Sequence, residues 1–266
     1  METQVIRVGK QVAIAAAYEA GKVLKERFGS IGAFEEKDSY GDIITEADLA
    51  AERIILHVIT TAFPDHHIRS EEFGDNEMSS DWMWLVDPLD GTNNFAVGLP
   101  LFSVSITLLY KRTPVLSVIY EPMTDRIYTA VQNEGAFCNQ KQISCLPAQS
   151  LHRARIGWIQ GHRVQNEPTA VKLRHYLDIN TKRMMRLWAP TLQWCMLARG
   201  DLDGIILYNS EGEDLYSGVL MVQEAGGVVV NYEGAAFEGM TEHPYLIACR
   251  QDHKDYFIRL VREGLQ

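Results

Sequence analysis

The sequence predicts an α+β protein with two lobes that meet near residue 150. Two amphipathic patterns near the N-terminus predict helices, and alternating apolar runs from residue 82 to residue 131 predict an antiparallel sheet. Mixed strand and helix patterns follow. The chain has 266 residues, of which 46% are hydrophobic, so a large core is possible. We therefore expect lobes at 1–150 and 151–266, with a small-ligand cleft between them.

The two N-terminal helices are predicted at 3–28 and 45–63, where apolar side chains recur every three or four residues. The second helix begins with a capping-box pattern from Thr45 to Asp48 and stops before Pro64, which cannot continue a helix.

The remaining elements follow from short apolar runs separated by turn residues. The predicted strands are 82–86, 102–110, 115–120, 126–131, 204–208, 228–231 and 246–249. The predicted helices are 190–199, 214–225, which is closed by a Gly-Gly pair, and 251–264.

The formal net charge of −10 argues against nucleic acid or an anionic membrane as the main partner, because both require a basic surface. A phosphorylated substrate remains compatible, since bound metal ions can supply positive charge. The four cysteines show no metal-binding spacing and are expected to be reduced thiols. The longest apolar run, Val12 to Tyr18, is too short to span a membrane, and we expect a cytoplasmic protein.

An acidic motif follows the strand predicted at 82–86. Asp87 and Asp90 flank Pro88-Leu89 and precede Gly91 and Thr92. Two carboxylates converging in a tight turn repel each other unless a cation lies between them, and hard cations such as Mg²⁺ prefer oxygen ligands. On this motif alone, a capped turn without a metal remains an alternative.

Each of the other acidic residues has a simple structural explanation when it is considered alone. Glu71 and Glu72 could belong to a solvated loop, Asp48 could cap a helix, and Asp214 could favour a helix N-terminus. Their combination with the Asp87 motif favours a metal site.

Taken together, these motifs resemble the inositol monophosphatase family, which belongs to the lithium-sensitive, Mg²⁺-dependent phosphatase superfamily. The resemblance rests on Asp87 to Phe95, on Asp42-x-x-Thr-x-x-Asp48, on Ser-Glu71-Glu72, on Asp214 followed by E-A-G-G, and on G-A-F-C-N at 135–139. It implies a layered αβαβα sandwich of the inositol monophosphatase and fructose-1,6-bisphosphatase type. It also implies a homodimer.

The resemblance implies two to three Mg²⁺ ions with carboxylate ligands. Glu71, Asp87 and the carbonyl of Leu89 match the ligands of the first metal, and Asp87, Asp90 and Asp214 match those of the second. Glu71 borders a third, weaker position, together with Asp48 and Glu72 acting through water.

The resemblance also assigns the phosphate and the attacking water. Gly91 and Thr92 resemble the phosphate cradle, and the Thr92 hydroxyl paired with Asp48 is expected to orient a water that attacks in line, with Glu72 nearby. Lys37 matches a lysine that family members often carry near the site.

The chain departs from the family pattern on the leaving-group side. Glu213 stands where a tryptophan is usual, and Leu207 stands where inositol-specific members carry a glutamate. Trp188-Ala189-Pro190, followed by Thr191, replaces a Gly-Ser-Ala stretch. We therefore expect Trp188, Thr191, Leu207 and Glu213 to contact a leaving group that differs from inositol.

These observations predict Mg²⁺-dependent hydrolysis of a small sugar, cyclitol or related phosphate monoester. The alternatives are a histidinol-phosphate, fructose bisphosphate or nucleotide 3'-phosphate phosphatase of the same family, or a non-catalytic binding protein that keeps the fold. A two-metal nuclease or polymerase is disfavoured because it requires a basic groove.

Overall fold

The computed structural model describes residues 2–30, 34–148, 150–241 and 243–266. The helices are α1 (Glu2–Arg27), α2 (Glu46–Ala62), α3 (Thr92–Ala96), α4 (Pro168–Asn180), α5 (Pro190–Ala198), α6 (Leu215–Glu224) and α7 (Lys254–Leu265). The strands are β1 (Phe34–Glu36), β2 (Ile43–Thr45), β3 (His67–Ser70), β4 (Gly74–Asp75), β5 (Trp82–Asp90), β6 (Ser103–Tyr110), β7 (Thr113–Glu121), β8 (Arg126–Val131), β9 (Gly135–Cys138), β10 (Lys141–Ile143), β11 (Arg155–Gln160), β12 (Arg183–Met185), β13 (Gly204–Tyr208), β14 (Gly227–Asn231) and β15 (Tyr245–Arg250).

The strands form two large sheets and one small hairpin, β1-β2. The first sheet has eight strands in the order β10-β9-β8-β7-β6-β5-β3-β4, and its neighbours are antiparallel except for β3 and β5. The second sheet has five strands in the order β12-β11-β13-β15-β14. In it, β11 runs parallel to both β12 and β13, whereas β15 is antiparallel to both β13 and β14.

The two sheets and three pairs of helices alternate in five layers, which confirms the predicted αβαβα sandwich. Helices α1 and α2 pack on one face of the eight-stranded sheet, and α5 and α6 share a core with its other face and with one face of the five-stranded sheet. Helices α4 and α7 cover the outer face of the five-stranded sheet. Buried alanines along α1, including Ala13, Ala17 and Ala20, allow the close approach of this helix to the sheet.

Each predicted helix and strand has a counterpart in the structure, whereas several short or weakly apolar elements, among them β3, β11 and α4, were not predicted. Strand β3 has the sequence His-Ile-Arg-Ser, in which only Ile68 is apolar. Helix α4 buries only Ala170, Leu173 and Leu177, so its apolar stripe is too narrow to identify from the sequence.

Two further features concern the cysteines and the length of the helices. All four cysteines are free thiols. In the described part of the chain, no helix combines the length and the apolar character required to cross a bilayer.

Candidate active site

A cleft of about 550 Å³ is lined both by predicted metal ligands and by basic side chains. We call Glu71, Asp87, Asp90 and Asp214 the acidic cluster, and His162, Arg163 and Arg186 the basic rim; all seven line the cleft. The basic rim and Asp214 follow the carboxyl ends of β11, β12 and β13, which are neighbouring parallel strands. Loops that leave such strand ends converge at one edge of the sheet, where ligands commonly bind.

Asp87 and Asp90 lie in a bulged end of β5, which corrects the expectation of a turn directly after Val86. In the pairing of β5 with β6, Asp87 lies opposite Ser105 and Asp90 opposite Ser103, so β5 has one extra residue. Side chains three positions apart on a regular strand point to opposite faces. The bulge removes this mismatch, so both carboxylates line the cleft.

Asp90 is held from inside the protein through one of its two carboxylate oxygens. Its Oδ2 accepts hydrogen bonds from the Thr191 backbone amide at 2.9 Å, from the Thr191 hydroxyl, and from the Ser103 hydroxyl at 3.3 Å. Thr191 lies in the first turn of α5, so the amide that donates to Asp90 is one of the free N–H groups of a helix N-terminus. All three contacts use Oδ2, and no described residue donates a hydrogen bond to Oδ1.

The acidic cluster carries more negative charge than its surroundings compensate. Burial raises the pKa of Asp87 well above its ordinary value, and the charges of Glu71, Asp90 and Asp214 add to this shift. Burial followed by the charge of Asp214 likewise raises the pKa of Asp90. Burial and Glu71 raise the pKa of Asp214 to about 7. Without added positive charge, these carboxyl groups therefore retain protons more readily than ordinary aspartates do.

The donor chemistry of this cluster fits a hard divalent cation. The candidate ligands are carboxylate oxygens and the Leu89 carbonyl, which are the donors that Mg²⁺ prefers, and a cation would relieve the repulsion that raises the pKa values. Among the described residues, no three His, Cys, Asp or Glu side chains already surround one point as a formed metal site would. The fit therefore rests on donor type, burial and charge.

Thr92 and Asp48 form the pair that the sequence predicted. The Thr92 hydroxyl lies 3.0 Å from Asp48 Oδ1 and 3.0 Å from the Leu89 carbonyl, and its single proton can be donated to only one of them at a time. Asp48 Oδ2 accepts from the Thr45 amide at 2.8 Å in the observed capping box. Burial raises the pKa of Asp48 to about 6, so this carboxylate can accept a proton near neutral pH.

Lys37 contacts the acidic residues rather than an open part of the cleft. Its ammonium donates to Glu71 Oε1 at 2.8 Å and to Glu72 Oε1, and Asp42 lies 3.9 Å away. Burial lowers the pKa of Lys37, but these carboxylates outweigh burial and raise it. Lys37 thus supplies positive charge between Glu71 and Glu72, where the resemblance implied a third metal.

Glu52 organises the Glu71 loop and was not identified from the sequence. This buried side chain accepts a hydrogen bond from the Ser70 hydroxyl and bonds from the amides of Glu72 at 3.1 Å and Phe73 at 2.8 Å. Its position on α2, one helical turn after Asp48, was the available signal, because a glutamate among buried residues requires partners.

The backbone conformation at residue 91, in the predicted phosphate-binding turn, requires glycine. Its φ is +101°, a conformation that other L-residues rarely adopt. A Cβ at this position would lie 2.9 Å from the Leu101 carbonyl oxygen and 3.0 Å from Ala189 Cβ. Only glycine therefore permits this close approach between the end of β5 and the segment that leads into α5.

The four predicted leaving-group contacts separate into two groups. Trp188, which is 57% exposed, and Glu213 both line the cleft. Glu213 accepts a hydrogen bond from Arg69 Nε at 2.5 Å. Leu207 packs in the core shared with α5 and α6, and Thr191 is fully buried against Asp90. Neither Leu207 nor Thr191 reaches the cleft, which contradicts the expectation that they contact a substrate.

Comparison with known proteins identifies the family of this chain. The model of the inositol monophosphatase family matches residues 7–266. The chain belongs to the inositol monophosphatase family. It is 33% identical over 222 residues to a fructose-1,6-bisphosphatase/inositol-1-monophosphatase of Aquifex aeolicus, covering 82% of this chain and 83% of that protein. It is also 33% identical to inositol monophosphatase 2 of Solanum lycopersicum, covering 95% and 97% of the two chains.

The fold agrees with a solved structure of the same kind. The extragenic suppressor protein SuhB of Bartonella henselae superposes with a TM-score of 0.89 and 29% identity, covering 96% of this chain and 98% of that one. Membership in the inositol monophosphatase family supports a phosphatase as the general activity. It leaves open which phosphate ester the cleft receives.

Proposed function

We propose that this protein hydrolyses a small phosphate monoester in the presence of Mg²⁺. The observation that carries the proposal is the acidic cluster, in which Asp87, Asp90 and Asp214 line one cleft and have pKa values that are raised first by burial and then by neighbouring carboxylates. Such a cluster is costly unless cations bind there, and cations are what a doubly negative phosphate requires.

In this proposal, different residues hold the metal ions, orient the phosphate and position the attacking water. When bound, Mg²⁺ supplies positive charge to the phosphate and lowers the pKa of water. Asp87, Asp90, Asp214, Glu71 and the Leu89 carbonyl would hold the ions. The amide at Gly91 and the hydroxyl of Thr92 would orient the phosphate. Asp48, paired with Thr92 at 3.0 Å, would position the attacking water and accept its proton.

The names of the relatives support a phosphatase but differ in substrate. The Aquifex protein is named for both fructose 1,6-bisphosphate and inositol 1-phosphate, and the tomato protein for inositol monophosphate. Trp188 and Glu213, which line the cleft, are the predicted departures that can change specificity. The homodimer, the lithium sensitivity and the cytoplasmic location remain predictions.

The proposal is tested by phosphate release from a panel of monoesters with and without Mg²⁺. We expect Mg²⁺-dependent turnover that Asp90→Asn lowers by about three orders of magnitude, because the variant loses a ligand charge. The matched control is Asp178→Asn, which makes the same change on an exposed position of α4.

Two results would oppose the proposal. Absence of Mg²⁺-stimulated phosphate release from every compound would favour a non-catalytic binding protein. Equal turnover by Asp90→Asn and Asp178→Asn would show that the acidic cluster is not the reaction centre.

A further inference from the structure

Hydroxyl side chains occupy the face of the eight-stranded sheet that α5 and α6 cover. The apolar residues between Val104 and Leu108 on β6 face α1 and α2, so the residues that alternate with them face α5 and α6. The buried hydroxyls on this inner face belong to Ser103, Ser105 and Thr107 of β6 and to Ser117 of β7. A buried hydroxyl costs stability unless it is hydrogen-bonded. The partners of these hydroxyls therefore indicate what they contribute.

Two serines connect the inner face of this sheet to the backbone of Asp214. The Ser105 hydroxyl donates to the Ser217 hydroxyl at 2.8 Å, and the Ser217 hydroxyl donates to the Asp214 carbonyl at 2.6 Å. We call Ser105 and Ser217 the serine relay; both residues are at most 1% exposed. The amide of Gly218 approaches the same carbonyl at 3.4 Å. The Ser217 hydroxyl is therefore the closer of these two donors to the Asp214 backbone.

The serine relay joins two parts of the acidic cluster that come from different sheets. Ser105 lies opposite Asp87 in the pairing of β6 with β5. Ser217 lies in the first turn of α6, three positions after Asp214, which directly precedes that helix. The relay therefore links the end of β5 to the start of α6, where two candidate metal ligands meet.

Helix α6 has further contacts that hold it without touching Asp214. The Ser117 hydroxyl donates to the Ser217 carbonyl at 3.0 Å. Gly218 packs directly on the ring of Trp194 from α5, and a Cβ at position 218 would overlap that ring. These contacts fix the helix between its neighbours, whereas the Ser217 hydroxyl contacts the Asp214 backbone itself.

We propose that Ser217, held by Ser105, is a positioning residue that fixes Asp214 relative to Asp87 and thereby sets the affinity of the acidic cluster for Mg²⁺. This inference rests on the proposed function and names a determinant of its metal binding. Loss of a group that orients a metal ligand typically weakens metal binding by about tenfold to a hundredfold. Loss of the serine relay is expected to weaken binding in this way while all candidate ligands stay in place.

The test measures Mg²⁺ affinity by isothermal titration calorimetry in single variants. Ser217→Ala removes the hydroxyl that donates to the Asp214 carbonyl, and we expect affinity to fall about tenfold. Ser105→Ala keeps that hydroxyl but removes its own donor, and we expect a smaller loss. Thr107→Val is the matched control, because in the described part of the chain the Thr107 hydroxyl has no hydrogen-bond partner. Its affinity is expected to equal that of the wild type.

A second control separates positioning of Asp214 from general docking of α6. Ser117→Ala also removes a buried bond between this sheet and α6, but one that ends on the Ser217 carbonyl. We expect Ser117→Ala and Ser217→Ala to lower the melting temperature of chelated protein alike, and only Ser217→Ala to lose Mg²⁺ affinity. Equal losses of affinity in both variants would attribute the effect to helix docking and overturn the proposal.

The double variant Ser105→Ala with Ser217→Ala tests the order of the relay. Ser105 contacts Asp214 through Ser217, so we expect the double variant to bind Mg²⁺ with the same affinity as Ser217→Ala alone. Additive losses would show that the two serines act independently, which overturns the relay.

Calorimetry reports metal binding without depending on turnover, so the two proposals can fail separately. If Mg²⁺ stimulates phosphate release but Ser217→Ala binds Mg²⁺ as the wild type does, the positioning role is overturned and the proposed function stands. If no ester is hydrolysed but Ser217→Ala weakens Mg²⁺ binding, the proposed function fails and the positioning role stands. A wild-type protein that binds no Mg²⁺ overturns both.

Discussion

The acidic cluster and the basic rim line the same cleft but are built in different ways. Asp87 and Asp90 are 6% and 4% exposed, and hydrogen bonds from buried groups hold Asp90. Arg163 and Arg186 are exposed on short segments that follow strand ends. The contrast shows that the two regions can change separately: the acidic cluster depends on the packed interior, whereas the basic rim consists of exposed side chains that substitutions can alter at little cost to stability.

Among residues that support the acidic cluster without belonging to it, the largest effect is expected at Gly91. Gly91→Ala adds a Cβ at φ +101° and within 2.9 Å of the Leu101 carbonyl oxygen, so the cradle must shift. We expect kcat/KM to fall about a hundredfold, because small displacements of positioning groups have effects of this size. Gly98→Ala is the control, since Gly98 has a φ of +78° but no atom within 4 Å of the added Cβ. Equal losses in both variants would attribute the effect to backbone strain alone.

The next effect tests whether the interior positions the metal ligands. Thr191→Val removes the hydroxyl that donates to Asp90 Oδ2 and retains the amide. We expect calorimetric Mg²⁺ affinity to fall about tenfold, as is typical when partners of metal ligands are removed. Thr191→Ser restores the hydroxyl and is expected to recover affinity. A change in substrate KM with unaltered metal affinity would instead restore the original view of Thr191 as a substrate contact.

The two regions also differ in their response to pH when divalent cations are removed. Burial raises the pKa of Asp214 to about 7, with Glu71 adding to the shift, and burial raises that of Glu72 to about 7. An acid with a raised pKa in the folded state contributes stability below its unfolded value of about 4 and loses it as pH rises through about 7. The melting temperature of chelated protein should therefore fall by several degrees from pH 5 to pH 8.

Two measurements check the origin of this pH dependence. Mg²⁺ should reduce the fall, because a cation stabilises the ionised carboxylates, and Asp214→Asn should flatten it. The arginines of the basic rim stay charged throughout this range and contribute nothing to it. A chelated protein whose melting temperature rises across the same window would contradict the proposed burial of uncompensated acids.

The smallest effect is expected at the ion pair between Arg69 and Glu213. Their contact is 2.5 Å long, but the Arg69 side chain is 41% exposed, so solvent reduces its contribution to below about 1 kcal/mol. A double-mutant cycle with Arg69→Gln and Glu213→Gln, measured by urea unfolding, should give a coupling of that size. If Glu213→Gln alone alters substrate preference, Glu213 contacts the substrate as the sequence predicted.

The sequence indicated the acidic cluster more clearly than the other residues that line the cleft. The resemblance of its motifs to the family implied that Glu71, Asp87, Asp90 and Asp214 would line one site. Long periodic segments such as α1 and α2 were also predicted, because hydrophobic periodicity is a local property of the chain.

The features that escaped prediction depend on contacts between distant segments. The bulge in β5 is defined only by its pairing with β6, and the role of Glu52 depends on a loop 18 to 21 residues away. Leu207 was assigned to the cleft by its position in the motif, but its side chain lies on the core side of β13. The basic rim comes from two loops that the parallel pairing of β11 and β12 brings together.

The position of Asp214 has a consequence for synthesis of the chain. It follows Asp90 by 124 residues and directly precedes α6, the helix that packs between the two sheets. A ribosome needs roughly ten seconds to add that length. Glu71, Asp87 and Asp90 therefore emerge well before their last acidic neighbour. The fourth negative charge arrives when α6 docks, so a cation available at that moment would favour the closing step of folding as well as later chemistry.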